Sequence, residues 1–70
     1  MNFISCLING QPQRLPQGLN VEQLLKYLHW EQKKNLAIAI NGEVVPGSAH
    51  SSTVVKENDR IEIITPMAGG

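Results

Sequence analysis

Seventy residues hold one small domain and exclude a second, and a core of that size suffices only when it is well packed. Six basic and six acidic side chains cancel, so no net field favours nucleic acid, an acidic substrate or an anionic membrane; one Phe, one Tyr and one Trp are too few for a base-stacking platform. Cys6 is the sole cysteine, which excludes an internal disulfide framework and fits a reducing compartment, so the expected location is the cytoplasm.

The opening run Met1-Asn2-Phe3-Ile4-Ser5-Cys6 lacks the basic region, long apolar stretch and small-residue cleavage site of a secretory leader, and reads as mature protein. Phe3 to Ile8 is rich in β-favouring residues, and Asn9-Gly10 supplies the positive-φ pair of a two-residue hairpin turn. Gln11 to Leu15 is expected to return antiparallel, and Pro16-Gln17-Gly18 punctuates. A helix then starts with Asn20 as N-cap, Gln23 completing a capping box, and Leu19 and Leu24 placed to staple. Val21, Leu24, Leu25 and Leu28 fall at i, i+3, i+4 and i+7, one apolar stripe for packing on a sheet, while Glu22, Gln23 and Lys26 point elsewhere.

After a polar turn over Glu31-Gln32-Lys33-Lys34-Asn35, the short apolar run Leu36 to Ile40 suits a strand in the sheet interior. Asn41-Gly42 repeats the hairpin signature, and Glu43-Val44-Val45 forms the next strand, which Pro46 ends because it has no ladder donor. Gly47 to Ser52 is expected to be a loop with room for one helical turn, and Val54-Val55 to approach the core. Lys56 to Asp59 makes a charged turn, with Asp59-Arg60 shaping the entry to a last strand, Arg60 to Thr65, that alternates through Ile61 and Ile63. No segment approaches the roughly twenty apolar residues that span a bilayer, and there is no internal repeat, low-complexity tract or linker.

The order, strand-strand-helix-strand-strand-turn-strand, predicts an α+β fold: a mixed sheet of about five strands with one main helix packed on one face. That is the β-grasp, or ubiquitin-like, arrangement, over residues 1–65, with residues 66–70 as a flexible C-terminal tail. Pro66-Met67-Ala68-Gly69-Gly70, if extended, reaches about 16 Å beyond the body at roughly 3.3 Å per residue. Two side-chain-free residues at the tip are thin enough to enter another protein's active-site channel, where the Gly70 carboxylate would be the reactive group; the competing reading is ordinary disorder at a chain end.

The short length, the segments Ala39-Ile40-Asn41-Gly42-Glu43-Val44-Val45-Pro46 and Asn58-Asp59-Arg60-Ile61-Glu62-Ile63, and the terminal Met67-Ala68-Gly69-Gly70 together resemble the ThiS sulfur carriers of bacterial thiamine biosynthesis. These are relatives of the MoaD subunit of molybdopterin synthase. Many members of the family carry a basic residue just after the proline and a tryptophan a few positions on; here Gly47 and Ala49-His50 stand in that stretch, which leaves a partner contact by this loop open. The resemblance implies that a ThiF-type adenylyltransferase uses Mg-ATP to convert the Gly70 carboxylate to an acyl-adenylate. A sulfur donor, such as a cysteine desulfurase system, then displaces AMP to leave a thiocarboxylate. The thiazole synthase ThiG takes the sulfur from it. The chain would then be a protein co-substrate rather than an enzyme, binding no cofactor of its own, with Gly70 modified and Gly69, Ala68 and Met67 presenting it to partners.

Other residues have weaker claims. Cys6 could be imagined as a persulfide carrier, but a cysteine in an apolar strand without basic neighbours is more often a small buried hydrophobe. His29 and His50 lack metal-ligand spacing, and Glu22, Glu31, Glu43, Glu57, Asp59 and Glu62 form no recognisable pair, so neither a metal site nor a catalytic set is expected. Lys33-Lys34 is most simply a solvated turn. Met67 suits an adaptable partner contact better than closure of the sheet edge, and Trp30 either anchors an interface or caps the core. A MoaD-like subunit, and a ubiquitin-like modifier or interaction module, are the alternatives to a thiamine sulfur carrier.

Overall fold

The computed structural model describes residues 2–30 and 36–65. Strands β1 (Phe3–Ile8) and β2 (Gln11–Pro16) form an antiparallel hairpin whose register pairs Phe3 with Pro16 and Ile8 with Gln11. Its turn has φ of 51° at Asn9 and 84° at Gly10, the left-handed pair that matches the twist of the flanking strands. Ile4, Cys6 and Ile8 point inward and are buried, which is the period-two alternation of a strand with one open face. Pro12 and Pro16 are tolerated in β2 because that strand lies at the sheet's edge.

Helix α1 (Val21–Tyr27) begins on the predicted capping box: Gln23 N–H donates to Asn20 Oδ1 at 2.7 Å, and Asn20 N–H donates to Gln23 Oε1 at 2.9 Å. Val21, Leu24 and Leu25 are buried, and Leu19 and Leu28 pack against the same core at the helix's two ends. The helix stops after Leu28 because His29 takes φ of 63°, so that His29 N–H reaches Lys26 O at 3.1 Å and Trp30 N–H reaches Leu25 O at 2.7 Å. This pair of bonds is a Schellman motif, with histidine where glycine is usual. It folds Trp30 back so that the ring packs, partly buried, against the core.

Strands β3 (Ala37–Ile40) and β4 (Glu43–Val45) form the second hairpin, turning at Asn41 and Gly42 with φ of 54° and 83°. A single 3₁₀ turn follows at Gly47–Ala49, in the loop that leaves room for one helical turn. Of the valine pair, Val55 is 2% exposed in the core whereas Val54 is 49% exposed, its backbone bridging Asn20 instead. The last strand, β5 (Arg60–Ile64), inserts between the hairpins: the five-stranded order is β2-β1-β5-β3-β4, with β5 parallel to β1 and antiparallel to β3. Ile61 and Ile63 point toward the helix and complete the core with Ile38 and Leu15. A mixed sheet with one helix on one face is the β-grasp fold that the element order predicts. No helix among the described residues is long and apolar enough to cross a membrane.

Candidate functional site

Met67, Ala68, Gly69 and Gly70, the residues to which the sequence assigns chemistry and partner contact, lie outside the described residues, as does the polar run 31–35. What the structure describes is the platform that leads to them. β5 is the central strand, and its C-terminal end at Ile64 pairs with Ala37 of β3. Thr65 then carries the chain to residues 66–70.

Both flanks of β5 are secured by hairpin asparagines. On the β1 side, Asn9 N–H donates to Ile61 O at 2.9 Å; Ile63 N–H donates to Asn9 Oδ1 at 2.8 Å, and Asn9 Nδ2 donates to Ile63 O at 3.4 Å. On the β3 side, Asn41 N–H donates to Arg60 O at 2.7 Å, Arg60 N–H donates to Asn41 Oδ1 at 2.9 Å, and Asn41 Nδ2 donates to Asp59 Oδ1 at 3.0 Å. Asp59 Oδ2 also accepts from Lys56 N–H at 2.8 Å, so the carboxylate does shape the turn into β5, as expected for this pair of residues. The sequence marks Asn9 and Asn41 only as turn formers. Their side-chain bonds to β5 leave no local signature beyond the repeated Asn-Gly.

The sheet face opposite the helix is open. Phe3 and Leu7 of β1, Ile64 of β5 and Val44 of β4 project there, with Val44 71% and Ile64 56% exposed. Arg14 spreads its guanidinium over the Phe3 ring at 5.0 Å from the centroid, a cation–π contact at the far side of the same face. The open face is thus apolar at Phe3 and Leu7 of β1, charged at Arg60 and Glu62 along β5, and apolar again at Ile64, where β5 ends.

The competing candidates resolve into structural roles. Cys6 is 3% exposed, and its thiol donates to Lys56 O at 3.2 Å. Burial pushes that thiol above its ordinary value of 9.0; a backbone hydrogen bond from Asp59 opposes this, and the nearby charges of Asp59 and Glu57 add to it. A nucleophilic cysteine needs the opposite shift. His50 Nε2 donates to Val45 O at 3.2 Å, closing the Gly47 to Ser52 loop onto β4. The same loop covers the start of α1: Asn20 Nδ2 donates to Ser51 O at 3.2 Å and Val21 N–H to Thr53 O at 2.9 Å. Ser5 N–H donates to Glu57 Oε2 at 3.2 Å, tying β1 to the turn that precedes β5. No group of His, Cys, Asp or Glu able to hold a metal occurs among the described residues.

Comparison with known proteins agrees with this geometry. Over 96% of its length the chain superposes on the crystal structure of a thiamine biosynthesis protein (ThiS) from Geobacter metallireducens, all of which is covered, with a TM-score of 0.83 and 33% identity. It is 37% identical to the uncharacterized protein ycf40 of Porphyra purpurea, across 96% of this chain and 93% of that one. Identity to the sulfur carrier protein ThiS of Escherichia coli strain K12 is 31%, across 96% of this chain and all of the other. A thiazole synthase of Paramagnetospirillum magneticum matches at 33% identity over 96% of this chain, which there corresponds to 20% of the longer protein. The ThiS family model matches residues 6–70, from β1 through the diglycine, and with the shared fold this establishes that the chain belongs to the ThiS family.

Proposed function

We propose that this protein is a sulfur carrier for thiamine biosynthesis, holding sulfur as a thiocarboxylate on Gly70. The observation that carries the reading is the ThiS family match, which runs through Gly69 and Gly70. The relatives named as sulfur carrier and thiamine biosynthesis protein support it.

A carboxylate is a poor electrophile because its charge is shared by two oxygens and neither is a leaving group. In the proposed reaction the Gly70 carboxylate attacks the α-phosphorus of ATP on a ThiF-type adenylyltransferase, and pyrophosphate leaves. The resulting acyl-adenylate is attacked at the carbonyl carbon by the terminal sulfur of a persulfide, such as a cysteine desulfurase system supplies, and the bond to AMP breaks. A thiol then cleaves the acyl disulfide to leave the thiocarboxylate and a mixed disulfide, and sulfur has replaced one carboxylate oxygen. Mg-ATP belongs to the activating partner, whose metal and basic groups offset the phosphate charge. The carrier supplies a backbone tip slim enough to thread a channel, and Gly69 and Gly70 meet that need while Met67 and Ala68 lie at its base.

Thiazole synthase, ThiG, is the proposed acceptor. The occurrence of a similar segment within a protein named thiazole synthase supports that pairing. The exposed Ile64 at the end of β5 and Val44 on the same open face offer the apolar surface that a protein partner covers. On this reading the chain is a recycled co-substrate, working in the cytoplasm where ATP and reduced sulfur donors are present.

The test is the intact mass of the protein after incubation with Mg-ATP, a ThiF-type adenylyltransferase and a sulfur source, beside a variant lacking residues 69–70. A gain equal to exchange of one oxygen for one sulfur, absent in the truncated control, is the expected result. No gain with an adenylyltransferase proven active on another carrier would refute the thiocarboxylate, and adducts on lysine side chains would point to a modifier instead.

A further inference from the structure

The parallel ladder between β1 and β5 ends before β5 does. Leu7 N–H donates to Asp59 O at 3.0 Å and Asn9 N–H to Ile61 O at 2.9 Å, each step advancing two residues on both strands. The next carbonyl in the series belongs to Ile63 and would fall to residue 11 had β1 continued. The chain has instead turned at Asn9-Gly10 into β2. The Asn9 side chain takes over, accepting from Ile63 N–H at 2.8 Å and donating to Ile63 O at 3.4 Å. A primary amide has the donor and acceptor of a peptide group, so it extends the ladder by one rung without extending the strand. Past that rung, the register of β5 continues only against β3, at Ala37 and Ile64.

We infer that Asn9 is a positioning residue for the reaction at Gly70, its side-chain amide fixing the direction in which β5 delivers the chain to residues 66–70. The inference rests on the proposed thiocarboxylate chemistry. With the body docked on the adenylyltransferase, the place where β5 ends sets the origin from which residues 66–70 must reach the active site, and misplacement of a reacting group costs rate steeply. Asn9 touches neither ATP nor the reacting carbonyl; it acts through Ile63.

Asn41 supplies a matched control. It occupies the same position of the other hairpin, has the same left-handed backbone, and makes two side-chain bonds, but to Arg60 and Asp59 at the opposite end of β5. Asn9→Gly and Asn41→Gly each keep the turn and remove one such clip. The measurement is steady-state adenylation and thiocarboxylate formation against carrier concentration, with amide exchange at Ile63 and Ile64 and thermal denaturation of each variant.

Both glycine variants are expected to lower the melting temperature. Asn9→Gly alone should accelerate exchange at Ile63 and Ile64 and lower kcat by roughly tenfold with KM unchanged, since the docking surface is intact while presentation is loosened. Asn9→Asp, which keeps the shorter acceptor bond, should recover most of that kcat. Equal kcat for wild type and Asn9→Gly, or an equal fall in Asn41→Gly, would overturn the positioning role. Failure of the wild type itself to be charged would remove the carrier reading and this inference with it, a result separable from any difference between variants.

Discussion

Cys6 faces the core from β1 with its thiol donating to Lys56 O, in surroundings that raise its pKa above 9.0 chiefly by burial. The folded protein therefore keeps a proton that the unfolded chain releases, so the thiol's contribution to stability is complete below the unfolded value. It is lost as pH rises from about 9 through the higher folded value. The difference in unfolding free energy between wild type and Cys6→Ala should be constant from neutral pH to about 8 and shrink above about 9, as read from denaturant titrations at each pH. Comparing the two proteins removes the lysine and tyrosine contributions common to both. A difference that instead widened with pH would contradict the raised thiol. Cys6 was legible in the sequence because its neighbours, apolar alternation and absent bases, are local. The side-chain bonds of Asn9 were not, because Ile63 lies 54 positions away and nothing near Asn9 records it.

The two ends of α1 show the same division at the level of one element. Its start is written in consecutive residues, Leu19 to Leu24, and every expected feature of the capping box is present. Its end is not, because the left-handed position after the helix is occupied by His29 rather than by the glycine that signals such a stop. Opposite outcomes follow for the two ends. Asn20→Ala removes an acceptor for the Gln23 amide and should destabilise the fold by about 1 kcal/mol. His29→Gly relieves a side chain from φ of 63°, and should stabilise by a few tenths to about 1 kcal/mol after the larger chain entropy of the unfolded glycine variant is subtracted. For a domain of this size each kcal/mol moves the melting temperature by about 4–8 °C, so calorimetry resolves both signs. If His29→Gly lowered the melting temperature, the Schellman stop would not be under strain.

Across the whole molecule, the hairpins and helix follow from local pattern, but the strand order does not. The alternation through Ile61 and Ile63 announces one open face for β5, and only the long-range pairing with β1 and β3 makes it the central strand. That placement separates fold from chemistry: the core ends with Ile63, while the proposed reaction is at Gly70. Leu24, fully buried in α1 on the far side of the core from the open face, tests the separation. Leu24→Ala should cost about 2–5 kcal/mol, a large part of the roughly 5–15 kcal/mol of a small domain, yet each molecule that remains folded should be charged at the wild-type rate. Gly70→Ala should behave in reverse, leaving the melting temperature unchanged and abolishing most charging, because a methyl group now stands beside the carbonyl that must enter the partner's channel. Measuring thiocarboxylate per folded molecule for both variants distinguishes the arrangements. Normal charging of Gly70→Ala would end the threaded-tail mechanism, and reduced charging per folded Leu24→Ala molecule would show that the helix side of the body takes part in the reaction.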